Sequence, residues 1–223
     1  MSMYEFFPFM DGEGADLRDL FIRRCQYKTI IKKGDNVRLY PQRHAFLNKG
    51  LLKIYMSNAA GNERLMWYIQ EINPIPYNCS FGKRVVAEID SEILYIKRED
   101  YLDHIISSRG NLETYIERVN KRYFFCMQQV LNENIYSCNT KIYSFIYQLA
   151  NVLGKKIENG QIVIKNLPSR KDIASIVGTH RSNVTRYITE LEKIGIVEKR
   201  KGLIIVKDLK ALEQLIDQQE FND

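Results

Sequence analysis

The chain of 223 residues is poor in the side chains that build most catalytic and metal centres, with four cysteines and three histidines. Cys25, Cys79, Cys126 and Cys138 are widely spaced and form no CxxC pair. They read as reduced cytosolic thiols. An oxygen-sensing iron–sulfur cluster would need several cysteines near the N-terminus, and Cys25 is the only one in the first 78 residues. No Ser/His/Asp set, metal-ligand spacing or phosphate loop supports an enzyme. No apolar run reaches the roughly 18 residues of a membrane-spanning helix. The opening MSMYEFFPFMDGEG has acids early and no basic stretch, so it is not a secretory signal. A cytoplasmic protein without membrane partner, metal or resident cofactor is expected.

The chain does have an uneven distribution of charge. Its formal net charge is +6, from 33 Lys/Arg against 27 Asp/Glu. Between Lys165 and Lys207 stand ten basic and four acidic residues, and the remainder is balanced at 23 of each sign. A basic module on a neutral body suits contact with phosphates.

That module holds SRKDIASIVGTHRSNVTRYITELEKIGIV, from Ser169 to Val197. Ser169 can cap a first helix whose apolar face is Ile173, Ala174 and Val177. Gly178 stands where the chain must stop and turn. A second helix, from about His180 to Lys193, turns Val184, Ile188 and Leu191 inward. Its outer face carries His180, Arg181, Ser182, Asn183, Thr185 and Arg186. EKRKG and the apolar run Leu203–Val206 then form a short basic hairpin. This is the layout of a winged helix-turn-helix whose second helix enters the DNA major groove. Arg181, Ser182, Asn183, Thr185 and Arg186 are the candidate base readers, with His180 beside them. Ser169, Thr179, Lys199, Arg200 and Lys201 are the candidate phosphate contacts. The plainer alternatives are a helical hairpin with a solvated outer face, or a helix-turn-helix that contacts protein.

With its wing GLIIVKD, this stretch resembles the Crp–Fnr family of bacterial transcription regulators. Upstream, KKGD…FLNKGLLKIYMSNAAGNERL resembles the family's β-roll sensor domain. The resemblance implies an α+β chain: an N-terminal antiparallel β-roll like that of cyclic-nucleotide-binding proteins (1–110), a dimerisation helix and hinge (111–137), and a C-terminal winged helix-turn-helix (138–223). It implies a homodimer on a palindromic operator, with RNA polymerase as a partner. Arginines stand in the family's recognition helix at the places matching Arg181 and Arg186. Cyclic-AMP-type members carry a glutamate where this chain has Ser182.

The residues upstream read consistently with that plan. Asp11–Asp19 can cap a helix through Leu20, Phe21 and Ile22. From Tyr27 to about Arg98, short strands alternate with Gly/Asn turns. LLKIYMS puts Leu52, Ile54 and Met56 on one face, and ERLMWYIQ pairs with it. The family's cyclic-nucleotide pocket has a Gly-Glu pair and then Arg-Ser or Arg-Thr. Here the segment is QEINPIPYNCSFGKRVVAEID, without Gly-Glu and with Val85 after Lys83-Arg84. Cyclic AMP is therefore not the expected effector, and a small acidic or aromatic molecule is. Trp67, Tyr77, Lys83, Arg84 and Tyr123 are its candidate contacts, although such aromatics are more often core. His44, alone in the roll, reads as structural rather than as a haem ligand. Cys79, Cys126 or Cys138 could form a thiol switch, or be small buried hydrophobes.

Positions 99–135 read as one long helix. Leu112, Ile116, Val119, Tyr123, Cys126 and Val130 recur at spacings of 4, 3, 4, 3, 4, the seam of a two-stranded coiled coil. Asn132–Thr140 breaks the pattern as a hinge. A further helix over TKIYSFIYQLANVLG, a strand over Gln161–Lys165 and a tail helix over Asp208–Asp217 complete the chain.

Overall fold

A computed structural model describes residues 9–10, 14–76, 82–165 and 167–220. The chain divides into two compact units, one formed by the described residues up to Phe124 and the other by those from Phe125 onward. The first unit runs β1 (Phe9–Met10), α1 (Ala15–Arg23), β2 (Tyr27–Ile31), β3 (Arg43–Lys49), β4 (Leu51–Ser57), β5 (Glu63–Gln70), β6 (Asn73–Ile75), β7 (Lys83–Ala87), β8 (Ser91–Lys97) and α2 (Arg98–Ile106). It ends in α3 (Arg109–Ile135), which continues into the second unit.

The strands form two four-stranded sheets, in the orders β1-β5-β4-β7 and β2-β8-β3-β6. All pairings are antiparallel except that of β1 with β5. Strand side chains alternate between faces, and here the alternation builds two cores. Ala45, Leu47, Leu52, Ile54, Ile69, Val85, Ile93 and Tyr95 pack in the larger core. Phe46, Leu94 and Ile96 point the other way, against Leu17, Leu20 and Phe21 of α1 and Tyr101 and Ile105 of α2. Phe21 stacks on Phe46 with ring centroids 4.8 Å apart, and full burial of such a ring stabilises by about 1.5–3 kcal/mol. With both faces covered, β8 is an unbroken apolar run, Ile93–Ile96, rather than an alternating one.

One element differs from the sequence expectation. The single helix over 99–135 is two helices, broken at Ser107–Ser108. Ser107 Oγ donates to the His104 carbonyl at 2.7 Å, and Ser108 Oγ accepts from the Asn111 amide at 3.1 Å. The second bond caps α3, so the serines offer the backbone a better local partner than a continuous helix would. On β4, Lys53 lies opposite the expected apolar face yet is also buried. It is ion-paired with Glu88 and lies over the Tyr68 ring. The short strands β1 and β6 were not legible in the sequence. β6 contains Pro74 and is tolerated because it forms an edge of its sheet.

His44 stacks on Tyr101 with centroids 4.0 Å apart. Burial, and then the charge of Arg98, push its imidazole down from 6.5 to about 4. The unfolded chain therefore takes up this proton first. The contribution of neutral His44 is complete above about pH 6.5 and is lost as pH falls toward 4. His44→Phe should keep the ring contact and flatten the pH dependence of Tm across that window. An acid limb of unchanged slope in thermal melts would contradict this.

The second unit runs α4 (Cys138–Leu153), β9 (Lys155–Lys156), β10 (Ile162–Lys165), α5 (Arg170–Val177), α6 (Arg181–Lys193), β11 (Val197–Arg200), β12 (Leu203–Val206) and α7 (Leu209–Glu220). Its antiparallel sheet has the order β11-β12-β10-β9. α4 packs on α5, α6, α7 and β10, and its Ile142, Phe145, Ile146 and Leu149 are fully buried. The break before α4 is shorter than the expected hinge, because α3 stays helical to Ile135 and Ser137 already caps α4 by accepting from the Thr140 amide.

Candidate nucleic-acid interface

α5 and α6 meet as the sequence pattern requires. Ser169 Oγ accepts from the Asp172 amide at 3.1 Å and donates to its carboxylate at 2.8 Å. Gly178 closes α5 in the left-handed region, φ +68°, where a residue without Cβ is least strained. α6 starts at Arg181 with His180 at its N-cap. Val184, Ile188 and Leu191 are buried against the unit's core.

The outer face is more selective than the sequence implies. Arg181, Ser182 and Arg186 are exposed, as is His180. Asn183 instead turns back, its Nδ2 donating to Thr179 Oγ1 at 3.0 Å. Thr179 Oγ1 also lies 3.0 Å from Cys138 Sγ. Thr185 Oγ1 donates to the Arg181 carbonyl at 3.1 Å. Asn183, Thr179 and Thr185 therefore fix the turn and the helix, while Arg181, Ser182 and Arg186 face outward. Serine, threonine and asparagine commonly spend their side chains on nearby backbone or neighbours in this way, which a pattern of outward positions does not reveal.

The wing is β11, the turn Lys201-Gly202 and β12, with Val197↔Val206 to Arg200↔Leu203 in register. Gly202 has φ +77°. Lys199 Nζ is 2.7 Å from Glu192 and 3.1 Å from Thr189 Oγ1. Arg200 pairs with Glu198 at 2.6 Å, and Lys207 reaches the same carboxylate at 3.0 Å. These cations hold Glu192 and Glu198 below the usual carboxylate range. Lys199 thus has a carboxylate of its own, Arg200 and Lys207 share one, and exposed Lys201 at the wing tip carries the freer charge.

The described candidate effector contacts have different surroundings. Lys83 and Arg84 share a cleft of about 330 Å³ with Asn36, Val37, Leu39 and Val85. Arg84 is bound bidentately by Glu63, at 2.7 and 2.6 Å, and lies over Tyr55. Lys83 donates to the Pro76 carbonyl. Trp67 packs against the larger core of the roll. Tyr123 is on the exposed side of α3. Tyr77 and Cys79 lie outside the described residues. Among the described residues no group of three or more His, Cys, Asp or Glu could hold a metal ion, and no helix is long and apolar enough to cross a membrane.

On α3 the usual arrangement of a surface helix is inverted. Arg118, 6% exposed, is ion-paired with Asp16 at 2.8 Å. Arg122 donates to the Pro74 carbonyl at 3.2 Å. The apolar seam faces out: Ile116 is 48%, Tyr123 59% and Val130 56% exposed, with Leu112 and Val119 also exposed. Cys126 is exposed on the same side.

The N-terminal unit is an antiparallel roll, and the C-terminal unit has the layout of a winged helix-turn-helix. Residues 140–215 match the family model of the Crp-like helix-turn-helix domain. Among solved structures, the chain is similar to a CprK variant complexed with OCPA, with a TM-score of 0.73 and 21% identity over 94% of this chain and 97% of that one. It is also similar to a CooA mutant from Carboxydothermus hydrogenoformans, with a TM-score of 0.71 and 16% identity over 85% of this chain and 87% of that one. A third is a CRP/FNR-family regulator from Thermus thermophilus, with a TM-score of 0.68 and 17% identity over 86% of this chain and 100% of that one. The lactate racemization regulatory protein of Lactiplantibacillus plantarum is 28% identical over 116 residues, 48% of this chain. The match spans about half, 49%, of that curated relative's length. Residues 140–215 thus form a Crp-like helix-turn-helix domain, and the chain as a whole shares the fold of these solved structures.

Proposed function

We propose that the protein is an effector-responsive regulator that binds a palindromic operator as a homodimer. The observation that carries the reading is α6, one face fully buried through Val184, Ile188 and Leu191 and the other presenting Arg181, Ser182 and Arg186 to solvent. Arg181 and Arg186 are five residues apart, about 1.4 turns, so they reach different places in a groove. Arginine bonds bidentately to guanine O6 and N7. Ser182, short and able to donate or accept, leaves the intervening base pair less strictly specified. The outward apolar seam of α3 supports pairing of two chains, which sets two recognition helices about 34 Å apart along the duplex. Such a regulator works beside RNA polymerase in the bacterial cytoplasm.

The effector is a small molecule held by the N-terminal unit, and the cleft beside Lys83 has a volume suited to one. It must bind the DNA-competent arrangement more tightly than the other, since only that difference can shift the equilibrium. A duplex affinity that no small-molecule extract alters would contradict this part. A thiol-responsive version has one observation in its favour, the contact from Cys138 through Thr179 to Asn183 of α6. Under it, Cys138→Ser would make operator binding insensitive to thiol alkylation.

The reading is tested by titrating duplex DNA at several salt concentrations. Lys201→Ala should weaken all sequences alike and reduce the salt slope by about one. Lys199→Ala should do less, because Glu192 already balances its charge. Binding that is absent, or that is indifferent to salt, would favour a protein-contacting helix-turn-helix instead.

A further inference from the structure

Arg186 does not stand alone on the outer face of α6. Its guanidinium lies over the ring of the next residue, Tyr187, with Cζ 4.4 Å from the centroid. Nη2 donates to the phenol oxygen at 2.5 Å. Neighbouring helix positions do not face each other, so the two meet because the arginine folds along the helix surface. Tyr187 is half-buried and is held from its other side. Its ring meets Tyr143 of α4 edge-on, centroids 6.0 Å apart. Tyr143 in turn donates its hydroxyl to Glu190 of α6 at 3.3 Å. Burial, and then the charge of Glu190, push the Tyr143 phenol up, so it remains a protonated donor.

We propose that Tyr187 is the positioning residue for Arg186, and that it sets how sharply one base pair is read. The inference rests on the reading of α6 as the base-reading helix. An arginine side chain has many rotamers, and ordering it on DNA costs entropy. A ring that already holds the guanidinium lowers that cost. A guanidinium can stack through its face and donate through its edge at the same time. Only one of its five N–H groups is spent on the tyrosine hydroxyl, so a fork of two remains for guanine O6 and N7. Tyr187 is itself braced by Tyr143, so the aim of the arginine is tied to the packing of α4 on α6.

The test is a selection on random duplexes with wild type, Arg186→Ala, Tyr187→Phe, Tyr187→Leu and the Arg186→Ala/Tyr187→Leu double variant, each checked by its thermal melt. Arg186→Ala should abolish a preference of about 5- to 150-fold at one base pair of each half-site. Tyr187→Leu should lower the preference at that base pair to within about twofold of Arg186→Ala, leaving the base pair read by Arg181 unchanged. Tyr187→Phe, which retains the ring face, should keep most of the preference, and the double variant should match Arg186→Ala alone. Preference retained at the Arg186 base pair in Tyr187→Leu, or lost equally at every base pair, overturns the positioning role. If Arg186→Ala left every preference intact, the base-reading role of Arg186 would fall and the positioning role with it. A loss in Arg186→Ala without one in Tyr187→Leu removes the positioning role alone.

Discussion

In the homodimer proposed above, Ile116→Asp is expected to separate the two chains. In the single chain Ile116 is 48% exposed, so an aspartate there costs the monomer little. At the centre of a paired seam the same aspartate meets its own copy, and two like charges lose water without a partner. Leaving an uncompensated buried charge costs about 3–5 kcal/mol, which weakens the dimer a hundredfold or more. Operator affinity should fall with it, because each half-site is then bound without the local concentration supplied by the other. Both faces of α3 favour this pairing. Its Arg118 and Arg122 are turned toward the roll, with Arg118 anchored by Asp16, and its apolar residues are left outside. Sedimentation is the direct check: the unmutated chain should run as a dimer and Ile116→Asp as a monomer. A variant that still sedimented as a dimer would remove the α3 seam from the interface.

The largest single loss of stability is expected from Gly50→Ala. Gly50 joins β3 to β4 with φ +116°, a region that side chains with Cβ avoid. A Cβ there would lie 2.2 Å from Ser91 Oγ and 2.8 Å from Ser91 Cα. The hydroxyl cannot simply swing aside, since it donates to the Ile89 carbonyl at 2.7 Å. Its Cα belongs to β8, which is paired on both sides. Strain at the wrong φ and overpacking together amount to about 2–5 kcal/mol. The loss should fall on the N-terminal unit, so its melting transition should drop while that of the helix-turn-helix unit stays in place. An unchanged first transition would show that the turn can rearrange at little cost.

Much of this architecture was legible because the signals are local. The buried stripe of α6 repeats at helical spacing, and Gly178 and Gly202 mark places where the backbone takes positive φ. The α3 seam is likewise a period in the sequence. Other features depend on residues far apart in the chain. Nothing near Arg118 indicates that Asp16, 102 residues away, turns it inward. The expected recognition face held more groups than the structure presents, because Asn183 and Thr179 bond to each other. Lys199 looked like a phosphate contact in a run of three cations, but Glu192, near the end of α6, is its ion-pair partner. Arg186 on Tyr187 was missed because adjacent helix positions normally diverge, and only the folded-back arginine brings them together. The break at Ser107–Ser108 had a readable signal, a serine three residues before Asn111, that the continuing apolar pattern masked.

In the proposed complex, two copies of α6 read base edges in a two-fold symmetric site. A selection of the purified wild-type protein on random double-stranded DNA tests it most directly. The expected product is a palindrome with two half-sites centred one helical turn apart, about 34 Å. Each half-site should carry two guanine positions and a weakly specified base pair between them, where Ser182 faces the groove. A selection that enriched no sequence, or only a single unrepeated half-site, would contradict the account.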